Sequence, residues 1–190
     1  MRCLLTTLAA LLGGQAAMAG DDPGEALFDK HCAVCHQPGG SGSPGFAPPL
    51  AGALGQRLQV EEGRAYFPRV LRGGLSGPIE SKGQRYNGAM PPFAATALSD
   101  AEAATVLNYL LGGLNGALLP AGFQPYGADE IGALQGRPVA AGDNRKLRER
   151  IDALLKNGPH AQPLRGSLPP EGAALPALPP GDGPAMKKGG

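Results

Sequence analysis

The clearest pattern of apolar and polar positions in the chain is LSDAEAATVLNYLLGG, residues 98–113. Ser99 is followed three residues later by Glu102, the spacing of a capping box, in which each side chain satisfies a backbone N–H of the first turn. Apolar residues then recur every three or four positions, the period of one helix face. The pattern predicts a helix that is ended by the two glycines and buries one face: Ala103, Val106, Leu107 and Leu110.

Two earlier stretches carry shorter helical patterns. EALFDKHC, residues 25–32, follows Asp21, Asp22 and Pro23, which supply an acidic cap and a proline suited to a first turn. EEGRAYFPRVLR, residues 61–72, contains Pro68. Because proline removes one helical hydrogen bond, we expect this middle helix to be broken into two short pieces. The expected core residues of these two stretches are Leu27, Phe28, Tyr66, Phe67, Val70 and Leu71.

The pattern changes after Gly113. Residues 117–127 are irregular and contain two prolines, and residues 129–134 are long enough for one or two helical turns. From residue 159 onward the chain is rich in Pro, Gly and Ala, a composition typical of an extended, disordered tail.

One amphipathic helix interrupts this C-terminal region. DNRKLRERIDALLKNG, residues 143–158, predicts a helix capped by Asp143 or Asn144 and ended by Gly158. Charged residues fill one face, and an apolar stripe fills the other. Such a stripe docks either on its own domain or on a partner protein, and both alternatives are open here. The stripe consists of Leu147, Ile151, Leu154 and Leu155.

The composition limits how large a core the chain can build. Hydrophobic residues make up 42% of the 190 residues, but aromatic residues only 5%, and there are 31 Gly, 20 Pro and no Trp. These values predict one modest domain with appendages. A small domain with few large side chains often fills its core with a metal or a cofactor.

The first 19 residues have the pattern of a secretory signal peptide. Arg2 supplies the positive start, residues 4–12 the apolar stretch, and residues 17–19, Ala-Met-Ala, a small-x-small cleavage site. The apolar stretch is too short for a stable membrane span, so we expect a periplasmic protein. Removing residues 1–19 takes Arg2 and Cys3 away and changes the formal charge from +1 to zero. A neutral mature chain argues against nucleic acid as a partner.

The two remaining cysteines form the motif CAVCH, in which Cys32, Cys35 and His36 have C-x-x-C-H spacing. A structural zinc site needs a second pair of ligands, which the chain lacks. A thioredoxin-like dithiol would lie in a βαβ pattern, and no convincing strand precedes this motif. A disulfide across so short a loop would add little stability. Haem c satisfies every part of the motif: two thiols on one helical turn reach two vinyl groups, and the adjacent histidine reaches the iron.

A haem iron held by His36 has a sixth position, and what fills it decides the function. Met90 lies in RYNGAMPPF, where Gly88, Pro91 and Pro92 favour a stiff, irregular loop rather than a core helix. We therefore expect Met90 to be the second axial ligand, with His160 as the alternative. A methionine ligand suits an electron carrier, because both axial positions are filled.

These segments together resemble class I cytochrome c of the bacterial periplasmic type. The resemblance covers residues 24–114 and is carried by LFDKHCAVCHQPGG, APPLAG, YNGAMPPF and LSDAEAATVLNYL. It implies an all-α envelope around one covalent haem c, with the first and last helices crossing. It also implies that the carbonyl of Pro48 accepts a hydrogen bond from His36 and that Leu50 contacts the haem.

The signal pattern, the resemblance and the C-terminal composition together predict four parts: the signal peptide (1–19), the haem domain (20–115), an extension with one extra helix (116–158) and the disordered tail (159–190). Arg72, Arg85, Tyr86 and Asn87 are further candidates for contacts with the haem propionates.

The predicted function is one-electron transfer in the periplasm, either as a free shuttle or as the cytochrome subunit of a dehydrogenase. Redox proteins would be the partners, with a dehydrogenase as donor and an oxidase or another cytochrome as acceptor. The alternative is a haem enzyme or a gas or redox sensor, in which Met90 dissociates and an external ligand binds iron.

Overall fold

Two helices that cross near their ends form the base of the fold. The computed structural model describes residues 22–134 and 139–157. At the crossing, a Cβ on Gly24 would lie 2.5 Å from Cβ of Tyr109, so only glycine permits this approach. Phe28 is fully buried beneath the crossing, with its ring 5.9 Å from that of Tyr109. The helices are α1 (Pro23–His31), α2 (Ala33–His36), α3 (Glu61–Gly73), α4 (Asp100–Asn108), α5 (Ala128–Gly132) and α6 (Ala141–Asn157).

Both crossing helices begin at the caps that the sequence predicts. The Asp22 carboxylate accepts a hydrogen bond from the backbone N–H of Gly24 at 2.7 Å. At α4 the capping box is complete, since Ser99 Oγ accepts from the N–H of Glu102 and the Glu102 carboxylate accepts from the N–H of Ser99. The chain continues beyond α4 in a wide helical turn, Tyr109–Gly113, that ends at the predicted glycines.

Removing the cap of α4 should destabilise the protein measurably. We expect Ser99→Ala to lower the free energy of unfolding by about 1 kcal/mol, because the first turn loses one of its side-chain hydrogen bonds. Denaturant unfolding of the purified protein measures this change. Ser41→Ala, at an exposed serine outside the regular helices, is the matched control and should change stability by less than about 0.5 kcal/mol. Equal values for the two variants would contradict the capping role.

The middle helix is one continuous helix, so the prediction of two pieces was wrong. Pro68 lies inside α3 and cannot donate to the carbonyl of Arg64, four residues earlier. The hydroxyl of Tyr126 donates to that carbonyl at 2.7 Å instead. Burial raises the pKa of Tyr126, so the hydroxyl keeps its proton. A side chain 62 residues away therefore supplies the hydrogen bond that the proline removes.

The C-terminal helix α6 packs on α3 of its own domain. It begins at Ala141, so Asp143 and Asn144 lie inside its first turn and the predicted cap was wrong; the carbonyl of Ala140 accepts from both of their N–H groups. Leu147 and Ile151 are buried against the core, whereas Leu154 is 38% exposed. The predicted stripe is therefore narrower than expected.

Four short strands complete the envelope between α3 and α4. They are β1 (Leu75–Ser76), β2 (Ile79–Ser81), β3 (Gln84–Tyr86) and β4 (Ala89–Met90). β1 pairs antiparallel with β4, and β2 pairs antiparallel with β3. These ladders are minor, and the all-α class is confirmed. No helix in the described ranges is long and apolar enough to cross a membrane. The predicted signal peptide (1–19), His160 and the predicted tail (159–190) lie outside the described residues.

Candidate functional site

The C-x-x-C-H motif lies at the junction of α1 and α2. Cys32 ends the first helix, with its N–H donating to the carbonyl of Phe28 at 2.7 Å, and its own carbonyl accepts from the N–H of His36 at 3.0 Å. One short helical turn thus carries Cys32, Cys35 and His36. Both thiols are free; Cys32 is buried and Cys35 is half-buried.

The acidity of Cys32 argues against a redox dithiol. Burial, with a smaller contribution from the neighbouring Cys35, raises the pKa of the Cys32 thiol to about 11. A dithiol of the thioredoxin kind needs a lowered pKa, because the thiolate is the reactive form. Within the described residues no three or more His, Cys, Asp or Glu side chains form a group that could hold a metal ion.

The imidazole of His36 is buried and held in one orientation. Its Nδ1 lies 2.8 Å from the carbonyl oxygen of Pro48. Because a carbonyl only accepts, Nδ1 carries the proton and Nε2 presents a lone pair. Burial lowers the pKa of His36, with the hydrogen bond to Pro48 acting in the opposite direction. In the described part of the chain nothing forms a hydrogen bond with Nε2, so a neutral donor nitrogen remains available.

The segment that carries Pro48 and Leu50 is tied to the end of α4 by Asn115, a residue that sequence reasoning missed. Asn115 is 2% exposed. Its Oδ1 accepts from the N–H groups of Ala53 and Leu54 at 2.9 and 2.8 Å. Its Nδ2 donates to the carbonyls of Leu50 and Leu110 at 3.0 and 2.7 Å. The only sequence signal is an amide residue shortly after a Gly-Gly helix stop.

Met90 lies in β4, half-buried against the core, and its backbone is registered opposite Leu75 of β1. Gly74 has φ of +74°, and a Cβ there would lie 2.5 Å from the Met90 carbonyl oxygen. On the other side of Met90, the N–H of Phe93 donates to the carbonyl of Leu71 at 2.8 Å. The end of α3 therefore holds the Met90 segment on both flanks.

The other candidates have different surroundings. Arg72 donates to the carbonyls of Phe93 and Leu98 and pairs with Asp100 at 2.6 Å, so it ties the loop after Met90 to α3. Arg85 and Asn87 are exposed, and Tyr86 is buried with its hydroxyl donating to Gln84. His31, directly before the motif, is half-buried with its ring edge-on to Phe93.

These groups fit haem c by the chemistry of their donors. Two thiols on one helical turn suit the two vinyl additions, and a neutral imidazole with its second nitrogen held by a carbonyl is a good iron ligand. The soft thioether of Met90 is a suitable opposite ligand. An all-α envelope with such a motif defines the class of proteins that carry covalent haem c.

Comparisons with known proteins agree with this class. The sequence model of the family described as Cytochrome c matches residues 22–113. One cytochrome c-552 of Thermus thermophilus is 43% identical over 151 residues, which cover 80% of this chain and 98% of that protein. Another cytochrome c-552 of Thermus thermophilus is 45% identical over 125 residues, 66% of this chain and 92% of that protein. The chain belongs to the cytochrome c family, whose members bind haem c with its iron covalently and transfer electrons.

The similarity extends past the haem-binding part of the sequence. Because the longer alignment spans 151 of the 190 residues, it includes residues 40–151 wherever it begins. That range contains α5 and most of α6. The relative with the longer alignment therefore has a counterpart to most of the C-terminal helix.

Proposed function

We propose that this chain is a periplasmic one-electron carrier in which Cys32 and Cys35 hold haem c as thioethers, with His36 and Met90 as axial ligands. The haem supplies an iron that alternates between Fe(III) and Fe(II). The observation that carries the proposal is the 2.8 Å hydrogen bond from His36 Nδ1 to Pro48, which leaves a neutral Nε2 on the helical turn that also carries the two thiols. The spacing of C-x-x-C-H supplies the rest of the donor set.

The chain's own residues would set the properties of the carrier. The Pro48 carbonyl fixes the imidazole ring and increases its basicity as a ligand. Met90 contributes a neutral, soft sulfur, which favours Fe(II) over Fe(III) and raises the reduction potential. Leu50 packs at the edge of the core, where it excludes water. With both His36 and Met90 bound to the iron, little in the protein would need to rearrange on reduction.

The surface around the motif suits brief contacts with redox partners. Val34, between the two cysteines, is 79% exposed, so an apolar side chain marks the place where the haem edge would come nearest to solvent. Small interfaces of this kind are typical of weak electron-transfer complexes. Export by the segment 1–19 places such a carrier in the periplasm, with a dehydrogenase as donor and an oxidase or another cytochrome as acceptor.

A free shuttle is favoured over a permanent subunit of a dehydrogenase. The apolar stripe of α6 would be the natural surface for a stable partner, but its buried members, Leu147 and Ile151, contact the core of the same chain. The stripe is therefore largely covered without a second protein.

Replacing the two cysteines tests the attachment. We expect the double variant Cys32→Ser/Cys35→Ser to retain no haem after extraction with acidified acetone, because neither thioether can form. Each single variant should keep one thioether and show a red-shifted reduced pyridine spectrum, since one vinyl group stays conjugated. Haem staining of denaturing gels and the pyridine spectrum measure the two effects.

Cys3→Ser makes the same chemical change in the predicted signal peptide and serves as the matched control; its mature product should keep both thioethers. Acid-stable haem in the double variant would show that the attachment residues are wrong.

A further inference from the structure

The C-terminal helix α6 contacts the protein most specifically through Asn144. This residue is fully buried, and its Nδ2 donates to the carbonyls of Arg69 and Gly74 at 2.8 and 2.7 Å. Its Oδ1 accepts from Nε of Arg69 at 3.3 Å. Both hydrogens of the amide are thus used at one place, the C-terminal end of α3. An amide is the neutral side chain that can donate twice from one nitrogen, so few residues could replace it.

The end of α3 that Asn144 holds is also where the Met90 strand is registered. Gly74 directly precedes β1, whose Leu75 pairs with Met90. The Gly74 backbone is in contact with the Met90 carbonyl, because a Cβ there would lie only 2.5 Å from it. One residue, Gly74, therefore touches Met90 on one side and the Asn144 amide on the other.

Two more contacts bind α6 to the segment that follows Gly74. The Arg145 side chain lies over Gly77, where a Cβ would approach its Cδ to 2.9 Å. The buried Arg148 donates from Nη2 to the Glu80 carbonyl at 2.7 Å. Successive turns of α6 thus support residues 74–80 along their length.

The opposite flank of Met90 is held by α3 directly. There, Phe93 is bound through its N–H to Leu71 and through its carbonyl to Arg72, and both partners belong to α3. Loss of the Asn144 contact should therefore release the Met90 segment from one side only. This asymmetry separates an effect on Met90 from general unfolding of the loop.

We propose that α6 is a positioning element for the sixth iron ligand: Asn144, acting through Gly74, fixes the strand against which Met90 is registered and so determines how firmly its thioether stays on the iron. The inference rests on the proposed ligation by Met90. Asn144 touches neither haem nor iron and is a positioning residue. The apparent affinity of the Met90 thioether for iron is proportional to the fraction of molecules in which the strand that carries Met90 is correctly placed. Loosening Gly74 lowers that fraction.

The test is the affinity of the oxidised holo-protein for added imidazole, which competes with Met90 for the iron. In Asn144→Asp the side chain keeps its size, but an oxygen replaces the amide nitrogen and faces two carbonyls. Losing a buried hydrogen bond in this way should reduce the population of molecules with Met90 in place about tenfold, relative to those in which it is displaced. We therefore expect the Kd for imidazole to fall about tenfold. The methionine–iron charge-transfer band should disappear at a correspondingly lower imidazole concentration.

Two controls separate positioning from general stability. Asn157→Asp makes the same change on the exposed end of α6 and should leave the Kd unchanged. Ile131→Val destabilises the core at a fully buried position of α5, which packs on α4, and should leave the Kd unchanged while lowering the free energy of unfolding. If Asn144→Asp does not yield folded protein, Asn144→Ala removes the donors without adding a charge and should shift the Kd in the same direction.

The outcomes also separate this inference from the function on which it rests. If the wild-type holo-protein lacks the methionine–iron band, Met90 is not the ligand and the proposed function fails at that point. If the band is present but the Asn144 variants bind imidazole like the wild type, or no more tightly than Ile131→Val, α6 does not position Met90.

Discussion

Met90→Ala should lower the reduction potential of the holo-protein and open the iron to external ligands. Axial ligands set haem potentials over a range of about 0.8 V, and we expect a fall on the order of 0.1 V or more when the thioether is lost. The reason is that methionine sulfur favours Fe(II), whereas water or hydroxide in its place favours Fe(III). Redox titration measures the potential, and the methionine–iron charge-transfer band of the oxidised protein should vanish.

Carbon monoxide distinguishes the carrier from the alternative of an enzyme or sensor. If Met90 occupies the sixth position as proposed, the reduced wild-type protein should bind it slowly and the alanine variant should bind it rapidly. Met186→Ala and His160→Ala are the controls, since they remove the other methionine outside the predicted signal peptide and the alternative ligand. Rapid binding by the wild type would favour the enzyme or sensor, and an unchanged potential in Met90→Ala would refute the ligand assignment.

The second large effect is expected at Asn115. Asn115→Ala should lower the free energy of unfolding by about 3–5 kcal/mol, because each buried polar group left without a partner costs about 1–3 kcal/mol. The groups that depend on Asn115 are the N–H groups of Leu54 and Gly55 and the carbonyl of Leu110, whereas the N–H of Ala53 and the carbonyl of Leu50 keep a 3.3 Å hydrogen bond to each other. Urea unfolding of the holo-protein, followed by haem absorbance and by circular dichroism, measures the change.

The matched control is Asn157→Ala, at an exposed asparagine of α6, which should change stability by no more than about 0.5 kcal/mol. The Asn115 variant should also unfold first around Pro48, since Asn115 ties the following residues to the end of α4. A loss below about 1 kcal/mol would mean that water replaces the amide without difficulty.

Local signals in the sequence were sufficient for the starts of α1 and α4 and for the C-x-x-C-H motif, but not for the start of α6. The caps at Asp22 and Ser99 involve partners two or three residues away, so they are visible in a short stretch of sequence. The C-x-x-C-H motif is equally local, because one helical turn carries all three side chains. The hydrogen bond between His36 and Pro48 was expected from the resemblance alone, and the structure contains that contact.

Contacts between distant residues could not be predicted in this way. Pro68 has the local signal of a break, but the hydroxyl that compensates for it belongs to Tyr126. Asn144 has the local signal of a helix cap, yet its amide is bound 70 and 75 residues away on α3. The local signal at Asn115, an amide shortly after the Gly-Gly helix stop, does not reveal its role, because that role depends on the backbone groups that folding places around it. In each case the hydrogen-bond partner is distant in the sequence and becomes a neighbour only in the tertiary structure.

The bond between the Tyr126 hydroxyl and the Arg64 carbonyl also bears on how the gene for this protein could be shortened. Tyr126 lies beyond the stretch that the family as a whole shares, and its ring is covered by the guanidinium of Arg64 at 4.5 Å. A coding sequence trimmed to residues 22–113 would lack Tyr126 and would leave the Arg64 carbonyl oxygen without its hydrogen-bond donor in the middle of α3.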